Sequence, residues 1–304
     1  MGPAFFKTQG KETLYAIRAL PIGGFVQMEG EDEESDSERS FKRIPKWKRL
    51  IILATGAINN IVFGFILICI VFSTLSQFPT TTIGGFYDKS VSNTTGLQVG
   101  DEILSVNRYK VYTISDVSYA CALTGTDPIT VTVRRDGKKL DVENVSFFVY
   151  DDKDLGKHFI CDFAPKYQEK TFLGVISYSF KNTVSISRSI YSFLGSLITG
   201  NADMKQVSGP VGTASVIGET VSVQHGVDLW SLMLLVAMIS INLGIVNLLP
   251  FPALDGGQIF LTLYEMVFRR SLPQKVEMII NMIGLALLFG LMIVVTIKDV
   301  LMIF

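Results

Sequence analysis

The chain has 304 residues, 48% hydrophobic and 18% charged, with 27 Lys+Arg against 28 Asp+Glu. Soluble domains usually carry about 25% charge, so this composition excludes a disordered chain, a collagen and a disulfide scaffold. The lack of a basic excess leaves no field for general nucleic-acid binding. Length allows two domains, and an apolar excess gathered into separate runs points to a membrane protein.

In chain order, residues 1–49 precede the first long apolar run. Within them Glu29–Glu38, "EGEDEESDSE", reads as a solvated loop rather than a metal site. Lys42, Arg43, Lys46, Lys48 and Arg49 then lead into residues 50–72, a run of 23 without charge. At 1.5 Å per residue that is about 34 Å, enough to span a bilayer. Leu229–Phe251 and Met278–Ile297 are two further uncharged runs, with Arg269, Arg270 and Lys275 between them. The two basic clusters agree on one orientation, in which both face the cytoplasm. The loop from Ser73 to about Asp228 then lies outside the cytoplasm, as does the C-terminus.

That loop carries strand signals. Ile129, Val131 and Val133 alternate ahead of Asp136-Gly137, and Leu140, Val142 and Val145 follow, which is a hairpin pattern. Ile114–Thr124 fits a short amphipathic helix. With "GLQVGDEILSVN", in which Gly96 and Gly100 permit turns and Ile103, Leu104 and Val106 enter the core, residues 79–150 resemble a PDZ domain. Such domains accept an extended peptide as an added strand. The resemblance puts the peptide groove at Ile83, Gly84, Gly85 and Phe86, and a PDZ fold that only fills space stands beside that reading. Residues 171–200 are apolar but broken by Lys181 and Arg188, which predicts an amphipathic helix or helix pair in the membrane interface. Cys69 lies in an apolar run, while Cys121 and Cys161 could pair only in an oxidising compartment.

Residues 229–304 hold the segment with chemical promise. "NLGIVNLLPFPALDGGQ", Asn242–Gln258, breaks the second run with Pro250, Pro252, Gly256 and Gly257 and places Asp255 at the break. Proline has no N–H to continue a helix, and irregular backbone at membrane depth must be buried in protein or line a wet cavity. A carboxylate there is costly and is a functional candidate. It could equally cap the next helix through the amides of Gly257 and Gln258, and both readings stand.

"NLLPFPALDGG" resembles the LDG motif of site-2 proteases, the intramembrane zinc metalloproteases. Three other segments are similar to that family in order: "ETLYAIRALPIGGFVQMEGE", "SFKRIPKWKRLIILATGAINN" and, beyond the PDZ region, "QVSGPVG". The group most resembled is the bacterial regulator-of-sigma-E type with one PDZ domain. The resemblance implies a polytopic α-helical membrane protein, three transmembrane helices in this chain, with an inserted extracytoplasmic α+β PDZ domain. It implies a Zn2+ cofactor with Asp255 as one ligand, and a site shaped by Asn60, Asn247, Pro250, Pro252 and Gly256. It also implies a membrane-dipping β-loop in which Gly23, Gly24 and Phe25 hold the unwound substrate. The implied activity is regulated intramembrane proteolysis in the cell membrane, acting on single-span substrates such as anti-sigma factors or signal-peptide remnants. The implied partners are that transmembrane substrate, the lipid bilayer and a peptide C-terminus at the PDZ domain, with no nucleic acid.

One departure is central. The family draws two zinc ligands and its general base from H-E-x-x-H on its first helix, and the 304 residues contain no such motif. His158 and His225, 67 residues apart, are the only histidines and read as surface residues. The catalytic set is therefore absent from this sequence, and Ala57 stands where many members have proline. Met1 falls where the family's first helix would end, which leaves three expectations: a misassigned start, an inactive fragment, or a pseudoprotease acting as a PDZ-bearing membrane scaffold. A transporter is disfavoured, since the spans show no paired repeat.

Overall fold

The computed structural model describes residues 4–10, 13–18, 29, 40–41, 43–152, 156–199, 228–270 and 273–303. It divides into two units, Met1–Ile51 and Ile52–Phe304.

In the first unit, β1 (Ala4–Gln9) and β2 (Leu14–Arg18) form an antiparallel hairpin. Sequence periodicity gave no sign of it, because Phe5, Phe6, Leu14, Tyr15 and Ile17 are exposed on both faces rather than alternating. Gly23, Gly24, Phe25 and most of the acidic run lie outside the described residues. The Arg49 guanidinium sits 5.1 Å from the Phe41 ring centroid.

Helix α1, Lys46–Thr74, contains the predicted first span and extends it at both ends. The chain then enters a sheet of strands β3 (Gln77–Phe86), β4 (Glu102–Val106), β5 (Tyr109–Lys110), β6 (Ile129–Arg135), β7 (Lys138–Val145) and β10 (Phe163–Glu169). Its order is β10-β3-β4-β6-β7, with β5 paired to β4 and every pairing antiparallel. A second hairpin, β8 (Phe148–Asp152) with β9 (Gly156–Ile160), and helix α2 (Ile114–Leu123) complete the domain. The sheet thus runs from residue 77 to residue 169, beyond the expected 79–150. β10 lies far along the chain from its partner β3, so no local pattern announces the pairing.

The Asp136-Gly137 turn forms as expected, with positive φ at both residues and Arg135 opposite Lys138. The β4 expectation needs correction. Ile103 and Val106 are fully buried, but Leu104 is only half-buried. A β-bulge gives β4 an extra residue between Ile103 and Ser105 against β6, so strict alternation fails and residues three apart both point inward. The core combines Ile103, Val106, Val131 and Val133 with Val117 and Cys121 of α2 and Phe147, Phe159 and Phe163 from the last strands. All three cysteines are free. Burial pushes the Cys161 thiol up to about 11 and raises that of Cys121 further, so both stay protonated and inert at neutral pH.

Two buried carboxylates fix the domain's loops. Asp101 receives Nε and Nη2 of Arg135, each at 2.7 Å, and the amide of Gln98. Asp162 receives the amides of Val91, Ser92 and Phe148 and the Ser92 hydroxyl.

One helix, α3 (Phe172–Ile198), occupies the region expected to hold a helix or a pair. Its packed side mixes hydroxyls with Val175, Ile186 and Ile190. Ser179, Thr183 and Ser185 are buried, while Phe172, Leu173, Ile176 and Phe180 are exposed. The Ser185 hydroxyl donates to Asp116 of α2 at 2.7 Å, and the same carboxylate oxygen accepts the Tyr112 and Thr113 amides.

Helices α4 (Leu229–Asn247), α5 (Asp255–Phe268) and α6 (Gln274–Ile303) follow. Among the described residues three helices are long and apolar enough to cross a membrane: Lys46–Thr74, Leu229–Asn247 and Lys275–Leu301. Asp228 caps α4, accepting from the Trp230 and Ser231 amides, and donation by the Ser231 hydroxyl, then by these amides, lowers its pKa.

Candidate functional site

The site is built where α1, α4 and the break after α4 meet. Helices α1 and α4 approach at backbone distance. A Cβ added at Gly64 would lie 2.8 Å from the Ala237 carbonyl oxygen, and one at Gly244 would lie 2.6 Å from that of Ala57. Only small residues allow such contact, which is how membrane helices associate without a hydrophobic driving force. The Ser240 hydroxyl crosses the interface to the Asn60 carbonyl at 2.8 Å. Ile61, Ile68, Ile241 and Ile245 close around this line, with Ile186 and Ile190 of α3 packed against them.

The α4 helix stops at Asn247 because Pro250 and Pro252 cannot continue it. The chain reverses through short turns: the Phe251 amide donates to Leu249 O at 2.7 Å and the Leu254 amide to Phe251 O at 3.2 Å. Pro252 is the second residue of the latter turn and Ala253 the third. Ala253 carries φ +70, a position that glycine or asparagine usually takes. Strain of this kind persists only where surroundings impose it, and here they do. The Ala253 amide faces Oδ1 of Asn281 at 3.4 Å, and a Cβ on Gly284 would stand 2.5 Å from Cβ of Pro252.

Helix α5 starts directly on this turn. A Cβ on Gly256 would meet the Leu248 carbonyl oxygen at 2.5 Å and collide with that of Leu249, and one on Gly257 would collide with that of Phe251. The two glycines after Asp255 are therefore required by the chain's own backbone, which packs α5 against the end of α4.

Asp255 is the first residue of α5, and the helix N-cap is Leu254. The amides of Gly257 and Gln258, which a capping aspartate would hold, donate instead to the Leu254 carbonyl at 3.0 and 3.3 Å. The capping alternative fails on that geometry. Among the described residues the Asp255 carboxylate has no hydrogen-bond partner, and a Cβ on Gly56 would sit 3.8 Å from its Oδ2. Gly56 and Asn60 are one turn apart on α1, so Asp255 reaches the α1 face that carries Asn60. Asn247 lies one turn beyond Gly244, which abuts Asn60, and thus shares the α4 face turned toward α1. The structure puts Asp255 beside the α1 face that carries Asn60, while Asn247 ends α4, Pro252 lies in the turn between α4 and α5, Gly256 follows in the first turn of α5, and Pro250 is exposed. Sequence reasoning passed over Gly56, Ser240, Gly244, Asn281 and Gly284. Ser240 and Gly244 carry a readable signal, small residues four apart in an apolar helix.

Other expected residues lie elsewhere. His158 is on β9 opposite Tyr150, with ring centroids 6.1 Å apart, and His225 and the "QVSGPVG" segment fall outside the described residues. Among the described residues no three His, Cys, Asp or Glu side chains come together. A catalytic zinc needs three protein ligands, so the described residues do not by themselves complete a zinc site. The groove expected at Ile83, Gly84, Gly85 and Phe86 is also corrected. These residues belong to β3, an interior strand. Gly85 and Phe86 pair with Ala164 and Phe163 of β10 along one edge, and Ile83 exchanges hydrogen bonds with Asp101 and Gly100 on the other. An added strand needs an open edge, and the sheet's outer strands are β10 and β7.

Comparison with known proteins identifies the family. The description "Peptidase family M50" matches residues 1–291. A protein of Clostridium acetobutylicum named "putative zinc metalloprotease" is 37% identical over 99% of this chain and 86% of its own length. Proteins with the same description from Clostridium perfringens and Fusobacterium nucleatum are each 33% identical over 99% of this chain and 87% of their own lengths. With a Pro-x-Pro break set against a small-residue helix pair, and a match that runs almost end to end, the chain is a member of peptidase family M50.

Proposed function

We propose that this chain forms the Asp255-bearing part of an intramembrane zinc metalloprotease that hydrolyses single-span membrane substrates within the bilayer, in regulated intramembrane proteolysis. The observation that carries this reading is the Asp255 carboxylate. It stands at a helix break in a membrane protein, relieved of capping by the Leu254 carbonyl and beside the Gly56–Asn60 face of α1. A carboxylate without a hydrogen-bond partner among the described residues in such a place is suited to ligate a cation. Asn60 and Asn247 offer amides at the same junction, suited to hold substrate backbone once its helix has unwound. The sheet domain, read as a PDZ fold outside the cytoplasm, would take a peptide C-terminus along the β10 edge or act as a size filter.

A second reading, a non-catalytic PDZ-bearing membrane scaffold, is favoured by the lack of H-E-x-x-H in the 304 residues. One experiment separates the two. Zinc content and cleavage of a single-span reporter are measured in membranes for a gene product in which an H-E-x-x-H helix precedes Met1. It should bind one zinc and cut, and Asp255→Ala should lose both while still inserting. Undiminished cleavage in Asp255→Ala would overturn the ligand assignment, and no cleavage in either protein would favour the scaffold.

A further inference from the structure

An open cavity of about 520 Å³ lies on the sheet domain beside α3, far along the chain from Asp255. Four cations line it: Arg108 after β4, Lys110 on β5, Lys139 on β7 and Lys181 on α3. None of the four makes an ion pair with the described residues. The one acid in the wall, Glu102, is already paired with Arg134 at 2.5 Å. A fifth cation braces the wall, since the Arg188 guanidinium stacks over Tyr109 and Tyr112 at 4.5 and 4.9 Å and donates to the Lys110 carbonyl at 2.9 Å. Four like charges converging on one cavity without a counter-ion repel one another, and an anion in the cavity relieves that repulsion.

The surroundings say which kind of anion. Turning around α3, the side packed on α1 and α4 through Ile186 and Ile190 comes first. Next comes an uncovered apolar flank with Leu173, Ile176, Phe180 and Tyr191. Lys181 and Arg188 follow it, and then Ser185, which docks on the sheet domain. Lys181 and Arg188 therefore stand between a surface suited to acyl chains and a cavity suited to a headgroup, on a helix that packs against the spanning pair. Basic residues at a membrane surface attract anionic lipid at about 1 kcal/mol each. We propose that this cavity binds the phosphate of an anionic phospholipid headgroup and so fixes the sheet domain against the membrane surface. The recognition is of phosphate, which a soluble phosphate could share, so the test separates the two sources.

The full chain, purified in neutral detergent, is titrated with phosphatidylglycerol or phosphatidylcholine, and bound lipid is counted by native mass spectrometry. Phosphatidylglycerol should be retained selectively, and Lys139→Gln and Lys181→Gln should each lower that retention about fivefold. Both side chains are exposed, so neither change threatens folding. Equal retention of the two lipids, or full retention in the double variant, would overturn the site. Competition by millimolar inorganic phosphate without lipid selectivity would assign the cavity to a soluble anion and overturn the membrane reading. Stronger displacement by an oligoglutamate peptide than by phosphate would overturn it in favour of an acidic protein segment.

Discussion

The sheet domain buries Ile103, Val106, Val131 and Val133 completely, whereas Ile58, Phe63, Ile66 and Ile70 of α1 remain 44–50% exposed. The side chains are alike, and what differs is the solvent each region is made for. In water, removing apolar surface drives folding at roughly 25 cal/mol per Å². In lipid that term vanishes, so the spanning helices associate through backbone contacts that small residues permit. The first region is held by area and the second by proximity.

The largest test of that contrast uses one residue type in both places. Ile103→Ala should cost the sheet domain about 4 kcal/mol, within the range for a buried isoleucine that leaves a cavity. Ile66→Ala, on the half-exposed flank of α1, should cost under about 1 kcal/mol, since no closed cavity is left where the methyl groups were. Thermal unfolding of the full chain in detergent, read by limited proteolysis of each region, separates the two. Equal losses would break the comparison. Next in size is Arg135→Met, which strands the fully buried Asp101 without its bidentate partner. Removing one member of such a pair costs about 3 kcal/mol, seen as early proteolysis of the sheet domain with the spanning helices still resistant.

The legibility of the sequence divides along the same line. Period-2 alternation and an Asp-Gly turn revealed β6 and β7 because a one-sided sheet needs both. Uncharged length revealed the spans because a bilayer sets it. The Pro-Pro break and Asp255 stood out because each is costly at membrane depth. What stayed hidden depends on distance along the chain or on local irregularity. β10 pairs with β3 across roughly eighty residues, the β4 bulge upsets the alternation that would place Leu104, and α3 turns its hydroxyls inward. The Gly56–Asp255 approach joins positions 199 apart in sequence, which no local pattern encodes.

On the membrane side, Gly244→Ala brings a Cβ to 2.6 Å from the Ala57 carbonyl oxygen and 2.7 Å from Cγ1 of Ile61. Backbone cannot yield as a side-chain tip can, so α1 and α4 must separate, at a cost of about 2 kcal/mol. A cysteine pair engineered across the interface should then crosslink more slowly. Gly195→Ala, where nothing lies within 4 Å of the added carbon, should be neutral or slightly stabilising because alanine is the better helix former.

A small expected effect decides what holds the helix pair together. Ser240→Ala deletes the 2.8 Å bond to the Asn60 carbonyl but leaves both glycine contacts intact. That carbonyl keeps its own helical hydrogen bond, so no acceptor is orphaned. Interhelical hydrogen bonds in membranes average about 0.6 kcal/mol, and a shift of that order in the unfolding midpoint is expected. If Ser240→Ala instead cost as much as Gly244→Ala, the polar bond and not the small-residue contact would govern the interface. The junction beneath Asp255 would then be held by hydrogen bonding, as Asp101 and Arg135 hold the loops of the sheet domain.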